Sequence, residues 1–200
     1  MFADIAGFTA WSSEREPAQV FVLLETVYRN FDKLAKRLGV FKVETIGDCY
    51  VAATGLPEPQ RDHAVLLARF AWECVLTMGS TCKGLEATLG PGTAELALRV
   101  GLHSGPTTAG VLRGEKSRFQ LFGDTMNTAS RMESNGIKNM VQVSQSTADL
   151  LMARGKQHWL TQREDKIEAK GKGTMQVKNH NNVWESMFDK KKVVISHRHL

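Results

Sequence analysis

Strand-like and helix-like segments alternate along this chain, which predicts a single domain of mixed α and β structure. Three observations carry that expectation. Apolar residues recur at three- and four-residue intervals through 17–38, the period of an amphipathic helix. Two strand-like runs flank Gly47-Asp48 within FKVETIGDCYVAATGL, and glycine at the first central turn position marks a tight hairpin. Further strand-length runs at 96–102, 119–122 and 140–143 are separated by helical or turn-forming stretches. The 200 residues, 42% hydrophobic, suffice for one well-packed core and are marginal for two.

Taken in order, Phe2, Ala3 and Ile5 read as the end of a buried strand with Asp4 inserted among them. The upstream half of that strand is missing, so the chain reads as a piece of something longer. Gly7 permits a tight passage of backbone before Thr9, Ser12 and Ser13. Pro17 opens the first long helix, with Phe21, Leu24, Tyr28, Phe31, Ala35 and Leu38 as its inward stripe and Gly39 as its stop. The hairpin of 40–55 follows, then Pro57 and Pro59 break the chain. A second helix is expected over 62–78, and the Gly, Thr and Pro content of 79–94 reads as a surface loop or lid. The strand at 96–102 carries Arg99 and is expected to turn at His103 into a second hairpin returning over 107–112. Gly123-Asp124 opens a helix to about 134, Ser144 caps another to about 153, and short strands close the fold. Residues 1–185 are expected to form the domain and 186–200 a basic tail.

Composition narrows the partners. The net charge of +5 is modest, and much of it lies in the closing stretch from Lys190. Basic residues are dispersed with no aromatic platform, so nucleic acid is not an expected partner. No apolar run reaches the length of a membrane span, and no signal-peptide pattern opens the chain. Cys49, Cys74 and Cys82 share no metal-like or disulfide-like spacing, which suits a reducing interior.

The residues with chemistry are individually bland. Asp48 stands at a hairpin tip, where Asp is ordinary turn chemistry. Asp4 in a strand end commonly bonds its own backbone. The backbone around Gly7 and Thr9 can turn N–H groups towards one point, although no P-loop string is present. Asn127 and Arg131 stand four apart on one helix face, a spacing that usually means solvent decoration.

Their coincidence is more informative. FADIAGFT, KVETIGDCYVAATGLP, LRVGLHSGPTTAGVL, FQLFGDTMNTASRMES and AKGKG stand in this order, and the sequence resembles class III nucleotidyl cyclase catalytic domains over residues 2–183. That resemblance implies the α+β class, a ferredoxin-like βαββαβ core with additional strands, and head-to-tail homodimers with active sites at the interface. It implies attack of the ribose 3′-OH of a nucleoside triphosphate on its own α-phosphate, giving a 3′,5′-cyclic nucleotide and pyrophosphate. Two Mg²⁺ or Mn²⁺ ions are implied as cofactors, and hard oxygen ligands suit them. Asp4 and Asp48 match the family's metal-binding aspartates, and Ile5 matches its backbone-carbonyl ligand. Gly7, Phe8 and Thr9 resemble the phosphate cradle, and Arg99 a phosphate-contacting arginine. From the other subunit, Asn127 matches the ribose-orienting residue and Arg131 the one that stabilises charge on the α-phosphate. Lys170 aligns with a lysine that reaches the terminal phosphates, with Lys172 the alternative occupant. The resemblance also implies an upstream regulatory or membrane region and a catalytic domain on the cytoplasmic side.

Base choice rests on Glu44 and Gln120. Guanine offers N1–H and N2–H to a carboxylate and O6 to an amide N–H, so the pair prefers GTP. The sequence resembles guanylyl members at Glu44 and departs from both guanylyl and adenylyl members at Gln120. With adenine, Glu44 accepts from N6–H and Gln120 donates to N1, so an adenylyl cyclase stays open. A catalytically inactive module that only dimerises or binds nucleotide predicts loss of a metal aspartate, the Asn or the Arg, and none is lost.

Overall fold

A computed structural model describes residues 1–113 and 117–162 in full, and beyond them the backbone of three short strands. In chain order the elements are β1 (Phe2–Ala6), α1 (Phe8–Ser13), α2 (Pro17–Leu38), β2 (Phe41–Ile46), β3 (Cys49–Ala53), α3 (His63–Leu89), β4 (Ala97–Leu102) and β5 (Thr108–Leu112). They continue as β6 (Arg118–Phe122), α4 (Asp124–Ser134), β7 (Met140–Ser144), α5 (Gln145–Ala153), β8 (Leu160–Gln162), β9 (Lys166–Ala169), β10 (Gly173–Gln176) and β11 (Val193–Ser196).

The main sheet runs β2-β3-β1-β4-β7-β11-β8. Its first four strands, with α1 and α2 after β1 and α3 after β3, form the expected ferredoxin-like βαββαβ core, antiparallel throughout. β7, β11 and β8 extend it as parallel neighbours, so Val193–Ser196 of the basic closing stretch lies inside the sheet.

Strand alternation sorts the residues between two faces. Ala3, Ile5, Leu98, Val100 and Leu102 point into one core with Leu23, Val27 and Phe31 of α2 and Phe70, Cys74 and Met78 of α3. On the opposite face α4 packs over β4 and β7 and reaches β1. Tyr50 ties α2 to the hairpin from the core side: it is fully buried, and its hydroxyl donates to Asp32 Oδ1 at 2.8 Å. Lys42 Nζ reaches the other oxygen of Asp32 at 2.8 Å.

Four expectations need correction. The buried stripe of α2 is Leu23, Val27, Phe31 and Ala35, and Phe21 is 66% exposed. The apolar surface of this helix is wider than the strip that meets the core, so Phe21 falls outside the contact. Residues 79–94 are not a loop, because α3 continues to Leu89 and a short 3₁₀ turn, Thr93–Glu95, follows. Gly79 and Gly84 each cost a helix interior about 1 kcal/mol, and burial of Met78, Cys82 and Leu89 outweighs it. A bond from Asn30 Nδ2 to Thr81 Oγ1 at 3.1 Å also fastens this part of α3 to α2. Extended in this way, α3 is long and apolar enough to cross a membrane by length and composition, with a mean hydropathy of 1.2 over an 18-residue stretch, yet half of that stretch is buried in the fold. Finally, β5 does not return along β4. Both edges of β4 are taken by β1 and β7, so β5 pairs instead with β6 in a separate two-stranded ribbon.

Candidate active site

The site begins with strand register. On β1, Asp4 lies opposite Cys49 of β3 on one side and Arg99 of β4 on the other. Directly opposed residues in antiparallel strands share a face, so these three side chains stand together, away from the α2 and α3 core. Asp48 immediately precedes Cys49 at the hairpin tip. Gly47 takes φ of 60°, the left-handed conformation that this turn position requires and that glycine adopts without strain. The Tyr28 hydroxyl donates to the Gly47 carbonyl at 2.8 Å, fastening the turn to α2.

Charge couples these groups. The Asp4 carboxyl is raised above its ordinary value, first by burial and then by the negative charge of Asp48, with Arg99 opposing the rise. Arg99 Nη2 donates to Asp4 Oδ2 at 3.1 Å, while Arg99 Nε donates to Glu133 Oε1 at 2.6 Å. Glu133, on α4, is also raised by burial, against which its bond to Arg99 acts. Burial pushes the Cys49 thiol up to about 12, so it sits beside the carboxylates as a neutral group.

The residues present suit a divalent cation. Asp4 and Asp48 are half-buried carboxylates that repel one another, and Arg99, shared with Glu133, meets Asp4 through one oxygen, so the pair favours a bound cation. Among the described residues no cluster of three or more His, Cys, Asp or Glu side chains is placed to hold one. Asp4 and Asp48 therefore require further oxygens from backbone, water or ligand. Ile5 can offer only its backbone, because its side chain is 2% exposed and faces the core. Gly7, at φ of 94°, starts α1, and the N–H groups of Phe8 and Thr9 fall in its first turn, where no intrahelical acceptor exists.

The remaining expected residues lie elsewhere on the chain. Glu44 follows a β-bulge between Lys42 and Glu44, a device that re-aims the following side chain. Gln120 stands on β6, whose Phe119 ring meets Phe41 of β2 at 5.0 Å, so the two strands that carry the base-reading candidates touch. Asn127 is exposed and Arg131 half-buried on α4, with Arg131 Nη1 enclosed and without a hydrogen-bond partner. Among the described residues, no hydrogen bond or ion pair joins the side chains of Asn127 or Arg131 to Asp4, Asp48 or Arg99. Lys170 and Lys172 lie outside the described residues.

Sequence reading missed Glu133 and the clamp by Tyr28. Arg99 in the middle of a sheet strand was the available signal for Glu133, since a half-buried guanidinium needs a carboxylate. Tyr28 was assigned to the apolar stripe, and nothing in its spacing separates a packing ring from a hydroxyl donor.

Comparison with known proteins identifies the family and the fold. Residues 1–181 match the family described as the adenylate and guanylate cyclase catalytic domain. The chain is 45% identical to human atrial natriuretic peptide receptor 2 over 176 residues, which is 87% of this chain and 16% of the receptor. It is 37% identical to the human guanylate cyclase soluble subunit beta-2, covering 99% of this chain and 31% of that protein. It therefore spans less than a third of either curated relative. Among solved structures, the guanylate cyclase domain of RhGC from Catenaria anguillulae in complex with GTP superposes with a TM-score of 0.73 at 39% identity, over 90% of this chain and 94% of that one. The chain belongs to the adenylate and guanylate cyclase catalytic domain family.

Proposed function

We propose that this chain converts a nucleoside triphosphate to a 3′,5′-cyclic nucleotide and pyrophosphate, with GTP preferred over ATP. The observation that carries the reading is the placement of Asp4, in the middle of β1, beside Asp48 at the hairpin tip, with Arg99 in register with Asp4. Asp4, Asp48 and the Ile5 carbonyl would hold two Mg²⁺ or Mn²⁺ ions. Bound there, such ions acidify the 3′-OH and neutralise phosphate charge. The amides of Gly7, Phe8 and Thr9 receive phosphate oxygens as neutral donors at a helix start. Arg99 supplies a cation to the same phosphates.

Asn127 and Arg131 serve the site of a second copy. The lack of a hydrogen bond or ion pair between them and the Asp4 group among the described residues supports that division, as does the unpartnered Nη1 of Arg131. Asn127 orients the ribose and Arg131 stabilises charge developing on the α-phosphate, a kind of contact whose removal costs about 3 kcal/mol, or roughly a hundredfold in rate. Glu44 and Gln120 read the base: a carboxylate towards the guanine N1–H and N2–H, and an amide N–H towards O6. The RhGC domain solved with GTP supports that preference. Lys170 is assigned to the terminal phosphates by motif alone. The receptor relative supports a catalytic module on the cytoplasmic side of a longer protein, fused to an upstream regulatory or membrane-anchored region.

The test is product formation by the purified chain with Mn²⁺, offering GTP and ATP separately and resolving products by chromatography. Cyclic GMP well above cyclic AMP is expected. The reverse would overturn the base assignment while leaving the site and the reaction in place. No product from either, in a dimeric sample, would favour an inactive dimerisation or nucleotide-binding module.

A further inference from the structure

Arg99 is a cation resting on a carboxylate that a metal ion would need. Its guanidinium is shared: Nη2 lies 3.1 Å from Asp4 Oδ2 and Nε lies 2.6 Å from Glu133 Oε1. The shorter bond goes to the more buried partner, since the Glu133 side chain is 10% exposed and that of Asp4 24%. Backbone fit fixes Glu133 in place. A Cβ on Gly101 of β4 would sit 2.0 Å from the Glu133 backbone nitrogen, and one on Gly136 would sit 2.9 Å from Arg99 Cγ. The end of α4 is thus seated directly on β4 and on the stem of Arg99.

We infer that Glu133 is a positioning residue that anchors Arg99 through Nε and so leaves Asp4 available to a divalent cation. The inference rests on the metal-binding reading of Asp4. Nε and the Nη nitrogens occupy different edges of a planar fork, so one bond can persist while the other exchanges. With Glu133 in place, Arg99 and Glu133 form a nearly neutral pair, and Asp4 keeps its charge for the ion. With Glu133 removed, the half-buried guanidinium has Asp4 as its remaining carboxylate partner among the described residues. It then competes with the ion for Asp4 and repels it. Glu133 in this way controls the affinity of a ligand residue that it does not bond.

The test measures Mn²⁺ binding to the nucleotide-free 200-residue chain through loss of the free-ion electron paramagnetic resonance signal, with no turnover required. Glu133→Ala is expected to weaken binding about tenfold or more, the scale seen for residues that orient metal ligands. Adding Arg99→Ala to it removes the competitor and should restore wild-type affinity or exceed it. Glu133→Gln, which keeps an acceptor for Nε without the charge, should fall between wild type and Glu133→Ala. Wild-type binding by Glu133→Ala overturns the inference, and so does a double variant as weak as the single one. Should Glu133→Ala fail to melt cooperatively, Glu133→Gln and Arg99→Ala decide: weaker binding in the first and tighter in the second are expected, and wild-type affinity in both overturns it. Asp4→Asn should abolish tight binding. Unchanged binding in Asp4→Asn would instead sink the metal reading, and this inference with it.

Discussion

Tyr28 illustrates how one hydroxyl can set the position of a candidate ligand two bonds of chain away. Its oxygen donates to the carbonyl of Gly47, the residue that turns the hairpin into Asp48, and its ring leans on Tyr50 at 5.7 Å between centroids. Burial, and then the charge of Asp48, hold the phenol protonated well above its ordinary value, so it stays a donor at any working pH. Tyr28→Phe removes only the oxygen. Urea melts should show a loss of about 1 kcal/mol, the usual net worth of one such bond. Titration of activity with Mn²⁺ should show a several-fold higher metal requirement with little change in the saturated rate. An unchanged requirement would mean that the Gly47-Asp48 turn holds its own geometry.

At the scale of elements, the seating of α4 on β4 matters most. Gly101 is there because no Cβ fits: besides Glu133 N at 2.0 Å, it would meet the Ala129 carbonyl oxygen at 2.5 Å, and both are backbone atoms that cannot rotate away. Gly101→Ala must therefore push the helix off the strand. Overpacking of this kind costs about 1–3 kcal/mol, which a lowered thermal midpoint will register. Because α4 carries Asn127, Arg131 and Glu133, the variant should lose catalytic rate well beyond what the remaining folded fraction explains. A destabilised chain with full specific activity would show that α4 can shift without consequence for the site.

At the scale of the whole molecule, the candidate residues divide between an Asp4 group on the sheet and an Asn127–Arg131 group on α4. The β5–β6 ribbon stands out from the main sheet with Val111, Leu112 and Phe122 about half exposed, a surface suited to a second copy. A head-to-tail homodimer makes a specific prediction. Asp48→Asn and Arg131→Ala should each be nearly inactive alone. Mixed in equal amounts with subunit exchange, half of the dimers are mixed and each has one intact site. About a quarter of wild-type activity should then return, measured as cyclic nucleotide formed. No recovery on mixing would place both residues in the same site of one chain.

Much of this molecule was legible in the chain itself. The period of α2, its stop at Gly39, the Gly47-Asp48 turn, the Ser144 cap and the opening of α4 after Gly123 are local facts, fixed by φ preference, capping and periodicity within a few residues. The motif strings likewise identified Asp4, Asp48, Arg99, Asn127 and Arg131 as candidates. Non-local choices were out of reach. Continuation of α3 past Gly79 depends on what Cys82 and Leu89 bury against, and the partner of β5 depends on β4 having both edges filled. Which side of α2 meets the core was settled by the sheet beneath it, since two apolar strips were on offer. The pairing of Arg99 with Asp4 and Glu133 joins residues 95 and 34 positions apart. Such contacts are chosen by competition among distant surfaces for burial and for charge neutralisation, and only the assembled fold decides that competition.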